Sequence, residues 1–159
     1  MSKDDPLPRA YGTVDEAQAA IGLARAECRG SDTETVLVRA ERDLWVVMAE
    51  LASADLPRER LRPGETLVTD DMVARLESEI DRLMATFEMP REFVVPGGGR
   101  LAASLDFARC VVRRAEREVL CVAHEDSRVV AYLNRLSDLL WVMARCAEEE
   151  TLTARGDAS

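Results

Sequence analysis

The sequence predicts an all-α fold, a five-helix up-and-down bundle. Three observations carry this. Apolar residues recur at helical spacing in five segments. Aromatics make up only 4% of the chain, while Ala, Leu, Arg and Glu abound, which suits helices better than sheets. Only the brief stretch Glu-Phe-Val-Val-Pro, ending at Pro96, reads as extended.

The first helix is expected to open at Thr13, because Thr13-Val14-Asp15-Glu16 matches a capping box, and to run to about Glu27 before Gly30. Asp15 then falls in the first turn, where a carboxylate suits the helix dipole. The second covers roughly Thr33 to Ala54, with Val36, Ala40, Leu44, Val47, Met48 and Leu51 as its stripe. Pro57 and a turn around Gly64 end it. The third follows Thr69 as N-cap, repeats Met72, Leu76, Ile80, Leu83 and Phe87, and is closed by Pro90. The fourth runs from about Arg100 to Ala123 after three glycines. The fifth runs from about Ser127 to Thr151, and the tail after it is expected to fray. The 159 residues are read as one domain, 1–159.

Charge and composition exclude several function classes. A formal net charge of -9 argues against general nucleic-acid binding, which depends on neutralising phosphates. No apolar run is long enough to span a membrane and no secretory signal is visible. Cys28, Cys110, Cys121 and Cys146 are scattered and there is one histidine, so a zinc site is not expected; the cysteines read as buried thiols in a reducing cytoplasm.

Four stretches carry chemistry. Arg109, Arg113 and Arg117 are spaced by four, with Arg114 beside them, so they stack along one helix face. They read either as surface arginines paired with acids such as Glu116 and Glu118, or as a clamp for phosphate oxygens. Gly97, Gly98 and Gly99 read either as a tight turn or as an anion seat before a helix N-terminus. Asn134, Arg135, Ser137 and Asp138 interrupt an apolar helix, as a solvated face or a ligand-binding network. Thr13 to Glu16 needs no function as a cap.

In order along the chain, Ser-Lys-Asp-Asp-Pro at 2–6, Ala-Tyr-Gly-Thr-Val-Asp-Glu at 10–16, Phe-Val-Val-Pro-Gly-Gly-Gly-Arg at 93–100, Arg-Arg-Ala-Glu-Arg at 113–117 and Tyr-Leu-Asn-Arg-Leu-Ser-Asp at 132–138 resemble the PduO-type ATP:cob(I)alamin adenosyltransferases. The similarity runs from Ser2 to about Arg145. The resemblance implies a homotrimer with active sites between subunits. It implies transfer of the 5'-deoxyadenosyl group of ATP to Co(I) of cob(I)alamin, with magnesium assisting and triphosphate leaving. It also implies an adenosylcobalamin-dependent acceptor enzyme for the product, and no metal held by the protein's own ligands.

Residue by residue, the resemblance assigns Lys3, Arg113, Arg114, Glu116, Arg117 and Asn134 to ATP. It pairs Arg109 with Asp15 of a neighbouring subunit. It puts Phe93 beneath the corrin ring, where it keeps the lower cobalt face free of its base. Ala17 stands where the family usually has leucine, and Asp106 where it commonly has histidine. The family's Thr-Gly-Asp-x-Gly motif, expected ahead of Ser2, is missing from the sequence. Either the start was assigned too late, or the chain is a short paralogue impaired in turnover that binds cobalamin or pairs with a full-length subunit.

Overall fold

The computed structural model describes residues 5–155. Five α-helices form the fold: α1 (Pro6–Ala26), α2 (Asp32–Ala52), α3 (Asp70–Met84), α4 (Arg100–Val119) and α5 (Val129–Cys146). A single 3-10 turn, Arg58–Arg60, lies between α2 and α3. Lys3 lies outside the described residues.

Spatial order differs from chain order. α1 packs on α2 and α4, α4 on α5, and α5 on α3, while α2 touches α5 only lightly. The tightest pairs have a sequence cause. α1 buries Ala10, Val14, Ala17, Ala20, Ile21 and Ala24, and α4 buries Ala102, Leu105, Ala108, Val112, Ala115 and Val119. Alanines on both faces let the two axes approach closely. α5 carries the largest apolar load: Tyr132, Leu133, Leu136, Leu139 and Leu140 are all essentially inaccessible.

The first helix corrects the sequence reading. It opens seven residues before Thr13, at Pro6. Proline fits the first turn because the N–H it lacks would have no intrahelical partner there. Thr13 is therefore an interior residue, and its hydroxyl donates to the Arg9 carbonyl at 2.8 Å rather than capping anything. Asp15 and Glu16 sit mid-helix. A cap of related form, reaching one residue further back, lies one helix later. Ser31 Oγ accepts from the Glu34 N–H at 3.2 Å, and the Glu34 carboxylate accepts from the Gly30 N–H at 2.7 Å. At α3 the expected cap holds, with Thr69 Oγ1 accepting from the Met72 N–H at 3.3 Å.

Three helices end earlier than periodicity suggested. α3 stops at Met84 before Phe87, α4 at Val119 before Ala123, and α5 at Cys146 before Thr151. At α5 the chain leaves the helix to pair with the loop ahead of α4: Val94 and Thr153 form an isolated antiparallel bridge. The cysteine expectation is also corrected. Cys28 is buried, but Cys110, Cys121 and Cys146 are exposed; Cys110 and Cys146 lie on α4 and α5, and Cys121 lies in the turn after α4.

Candidate functional site

α4 is the spine of the site. It rises about 1.5 Å per residue, so Arg109, Arg113 and Arg117 follow one another in steps of about 6 Å. Glu116 lies on the inner side of the same helix and is buried. One of its oxygens accepts from Arg113 Nη1 at 2.7 Å, and the other from Asn134 Nδ2 on α5 at 3.0 Å. Thus Arg113, Glu116 and Asn134, three of the six residues that the resemblance assigns to ATP, are joined by hydrogen bonds across two helices.

A carboxylate only accepts, so the Asn134 amide must turn its NH2 toward Glu116. Its carbonyl oxygen is left facing outward as an acceptor. Arg114 pairs with Glu16 of α1. Arg117 is exposed and forms no ion pair among the described residues. The arginines thus divide: Arg113 and Arg114 meet acids, as the surface reading had it, and Arg117 stays available. Asp138 pairs with Arg135 at 3.0 Å, both partly exposed, and so takes no part in the Asn134 network.

Toward the N-terminal end of α4 the chain forms a cleft of about 850 Å³, walled by Phe93, Asp106, Arg109, Trp141 and Arg145 among others. Phe93 is 89% exposed, the most accessible large apolar side chain among the described residues. Arg109 lends its Nε to Asp106 Oδ1 at 3.4 Å. Asp106 is buried and its other oxygen accepts from the buried Arg145. Arg145 lies 5.5 Å over the Trp141 ring and 2.9 Å from a Glu148 oxygen. That last contact is off the N–H axis, so it is a charge contact rather than a hydrogen bond. Asp15 is exposed and makes no ion pair within its own chain among the described residues; it and Arg109 do not meet.

The glycine turn does not wait open for a ligand. Gly98 carries two backbone N–H groups from Glu149 and Glu150 on its carbonyl, and the Glu149 side chain lies against Gly99. The turn reading holds at this position.

Sequence reasoning missed the Asp106–Arg145 pair. The signal was present: Asp106 falls on the apolar register of Ala102, Leu105 and Ala108, and a carboxylate there requires a buried cation. It also missed Asp43 on α2, whose carboxylate accepts from the Tyr132 hydroxyl at 3.1 Å and lies 3.6 Å from Arg75. Burial pushes the Asp43 carboxyl above its ordinary range, against the lowering effects of the Tyr132 hydroxyl, Arg75 and Arg39.

The family model for cobalamin adenosyltransferase matches residues 1–147. The chain belongs to the cobalamin adenosyltransferase family. It is 35% identical over 153 residues to the corrinoid adenosyltransferase PduO of Salmonella typhimurium, covering 94% of this chain but 45% of that protein. The chain thus spans less than half the length of that relative. It is 37% identical over 157 residues to the corrinoid adenosyltransferase of Mycobacterium bovis, covering 94% of this chain and 80% of that protein. Among solved structures, it matches a variant PduO-type ATP:corrinoid adenosyltransferase from Lactobacillus reuteri complexed with cobalamin and ATP. The TM-score is 0.84 at 27% identity, covering 98% of this chain and 90% of that one. All five helices lie within residues 1–147, the span that the family model matches.

Proposed function

We propose that the chain is an ATP:cob(I)alamin adenosyltransferase. The cobalt(I) lone pair of the corrinoid substrate attacks the ribose 5'-carbon of ATP, a Co–C bond forms, and the C5'–O bond breaks with its electrons leaving on triphosphate. The observation that carries this reading is the layout of α4. An exposed aromatic and a cleft of mixed apolar and charged lining stand at one end, and an arginine-bearing polar network begins one turn further on.

The residues have distinct work in this reading. Arg117, exposed and without an ion pair among the described residues, meets the charge that builds on the departing triphosphate. Arg113 stays on Glu116 and lends its remaining N–H groups. Asn134, fixed through its NH2, presents its carbonyl to a donor on the nucleoside. Phe93 covers one corrin face with apolar surface and so excludes water or a competing ligand from that side of the cobalt. The protein's contribution is position and charge; the nucleophile belongs to the substrate. Lys3 is proposed to join the nucleotide site. Among the described residues no three His, Cys, Asp or Glu side chains gather as a metal-holding group.

A homotrimer with sites between subunits is part of the proposal. Among the described residues Asp15 makes no ion pair and the outer N–H groups of Arg109 make no contact, and Leu23 on α1 and Phe107 on α4 are 60% and 55% exposed. A cytoplasmic location and delivery of product to an adenosylcobalamin-dependent enzyme complete the reading. No helix among the described residues is long and apolar enough to cross a membrane.

The test is an anaerobic assay with ATP, magnesium and chemically reduced cobalamin, following adenosylcobalamin by absorbance. Turnover that falls at least about tenfold in Arg117→Ala supports the reading. Cobalamin binding without turnover would instead identify a corrinoid-binding paralogue.

A further inference from the structure

We infer that residues 148–154 are a positioning strap that holds the loop bearing Phe93, and that Gly98 is the residue that lets the strap seat. This rests on the proposed function only in giving Phe93 its corrinoid contact; the strap itself stands on geometry.

Between α3 and α4, residues 87–98 form no helix and no named strand. Every backbone–backbone hydrogen bond they make among the described residues runs to the strap. The Val95 N–H donates to the Leu152 carbonyl at 2.8 Å, and the Ala154 N–H donates to the Phe93 carbonyl at 2.8 Å. The Glu149 and Glu150 N–H groups both donate to the Gly98 carbonyl, at 2.7 and 3.1 Å. Phe93 is thus held at its own carbonyl by a segment more than fifty residues away in sequence.

Gly98 is where contact is closest. A Cβ built there would lie 2.0 Å from the Glu150 carbonyl oxygen, a backbone atom that no side-chain rotation can move aside. Its neighbours Gly97 and Gly99 have φ of +118° and +153°, angles that L side chains rarely adopt. The three glycines therefore serve a backbone-to-backbone seat rather than an anion.

The strap is also anchored at its start. Arg145 in the last turn of α5 meets Asp106 of α4 on one side and Glu148 of the strap on the other. Asp106 in turn touches Arg109. A continuous chain of charges connects Arg109 to the base of the strap, and the strap to the loop under Phe93. Gly98, Arg145 and Glu148 are positioning residues; Phe93 makes the substrate contact.

Three measurements on the 159-residue chain test this. In the wild type, hydrogen exchange at the Val95, Glu149, Glu150 and Ala154 amides is expected to be protected. In Gly98→Ala that protection falls while α4 and α5 amides keep theirs. Turnover with cob(I)alamin drops about tenfold, with the KM for ATP within about twofold of wild type. In a Phe93→Ala background, Gly98→Ala costs no further kcat, because the strap acts through Phe93. Ala154→Pro, which removes one donor and touches no helix, repeats the effect in weaker form and stands in if Gly98→Ala does not fold. Unprotected strap amides in the wild type would overturn the strap. Full kcat in a variant whose strap amides have lost protection, or additive losses with Phe93→Ala, would overturn its positioning role. A wild-type chain with protected strap amides but no turnover would sink the functional reading and leave the strap standing.

Discussion

Glu116 has two carboxylate oxygens, and both are committed, one to Arg113 and one to Asn134. This arrangement fixes which end of Asn134 faces a ligand. Asn134→Asp replaces the donor with a second carboxylate against Glu116 and turns a negative charge toward a polyphosphate. The expected outcome is about a 100-fold loss in kcat/KM for ATP with helix content unchanged, read by steady-state kinetics and circular dichroism. Asp43 provides a second prediction. Its folded-state carboxyl is raised by burial, so the native state holds that proton more tightly than the unfolded chain. The stability this contributes is present at low pH and is lost as pH rises through the carboxylate range, from about 4 upward. Asp43→Asn keeps an acceptor for Tyr132 and cannot ionise. Urea midpoints should shift in favour of the Asn variant between about pH 4 and pH 7; a gap constant with pH contradicts the assignment. At this scale the sequence was readable where spacing within one helix decided the contact, as for Arg113 and Glu116. Asp43, paired with a tyrosine 89 residues away, left no local trace.

Among the elements, Glu50 near the end of α2 has the widest reach. Its buried carboxylate accepts from the Val68 N–H and the Ser127 hydroxyl, both at 2.6 Å, and pairs with Arg58 at 3.2 Å. It thereby ties the segment before α3 and the segment before α5 to α2. Glu50→Ala strands a buried N–H and should cost about 3 kcal/mol, read as a lower urea midpoint. Helix existence was legible throughout, because apolar periodicity follows directly from which face is buried. Helix ends were less so. Thr13 to Glu16 has the letters of a capping box, but a box caps only where the preceding chain leaves the helix, and Pro6 starts the helix earlier. The end of α5 was missed for another reason. Nothing in Ala147 to Thr151 forbids helix; the segment leaves it because the loop ahead of α4 offers backbone hydrogen bonds.

For the whole molecule, the arrangement of α4 gives a polar end and a cleft end, with Asp15 and an outer edge of Arg109 directed to no partner among the described residues. Asp15→Arg puts a cation where the trimer account requires an anion. Light scattering should show the species at three times 17.6 kDa give way to smaller ones; an unchanged trimer contradicts the Asp15–Arg109 contact. The family was legible in the sequence as an ordered set of motifs between residues 2 and 138. The strap was not, since its partners are glycines and backbone atoms.

The most direct measurement is a single-turnover reaction under anaerobic conditions, with enzyme in excess over cob(I)alamin and ATP with magnesium present. The account predicts adenosylcobalamin and inorganic triphosphate in equal amounts, the first by absorbance and the second by phosphorus NMR. Triphosphate replaced by phosphate and diphosphate, or no Co–C product from a folded chain, would contradict it.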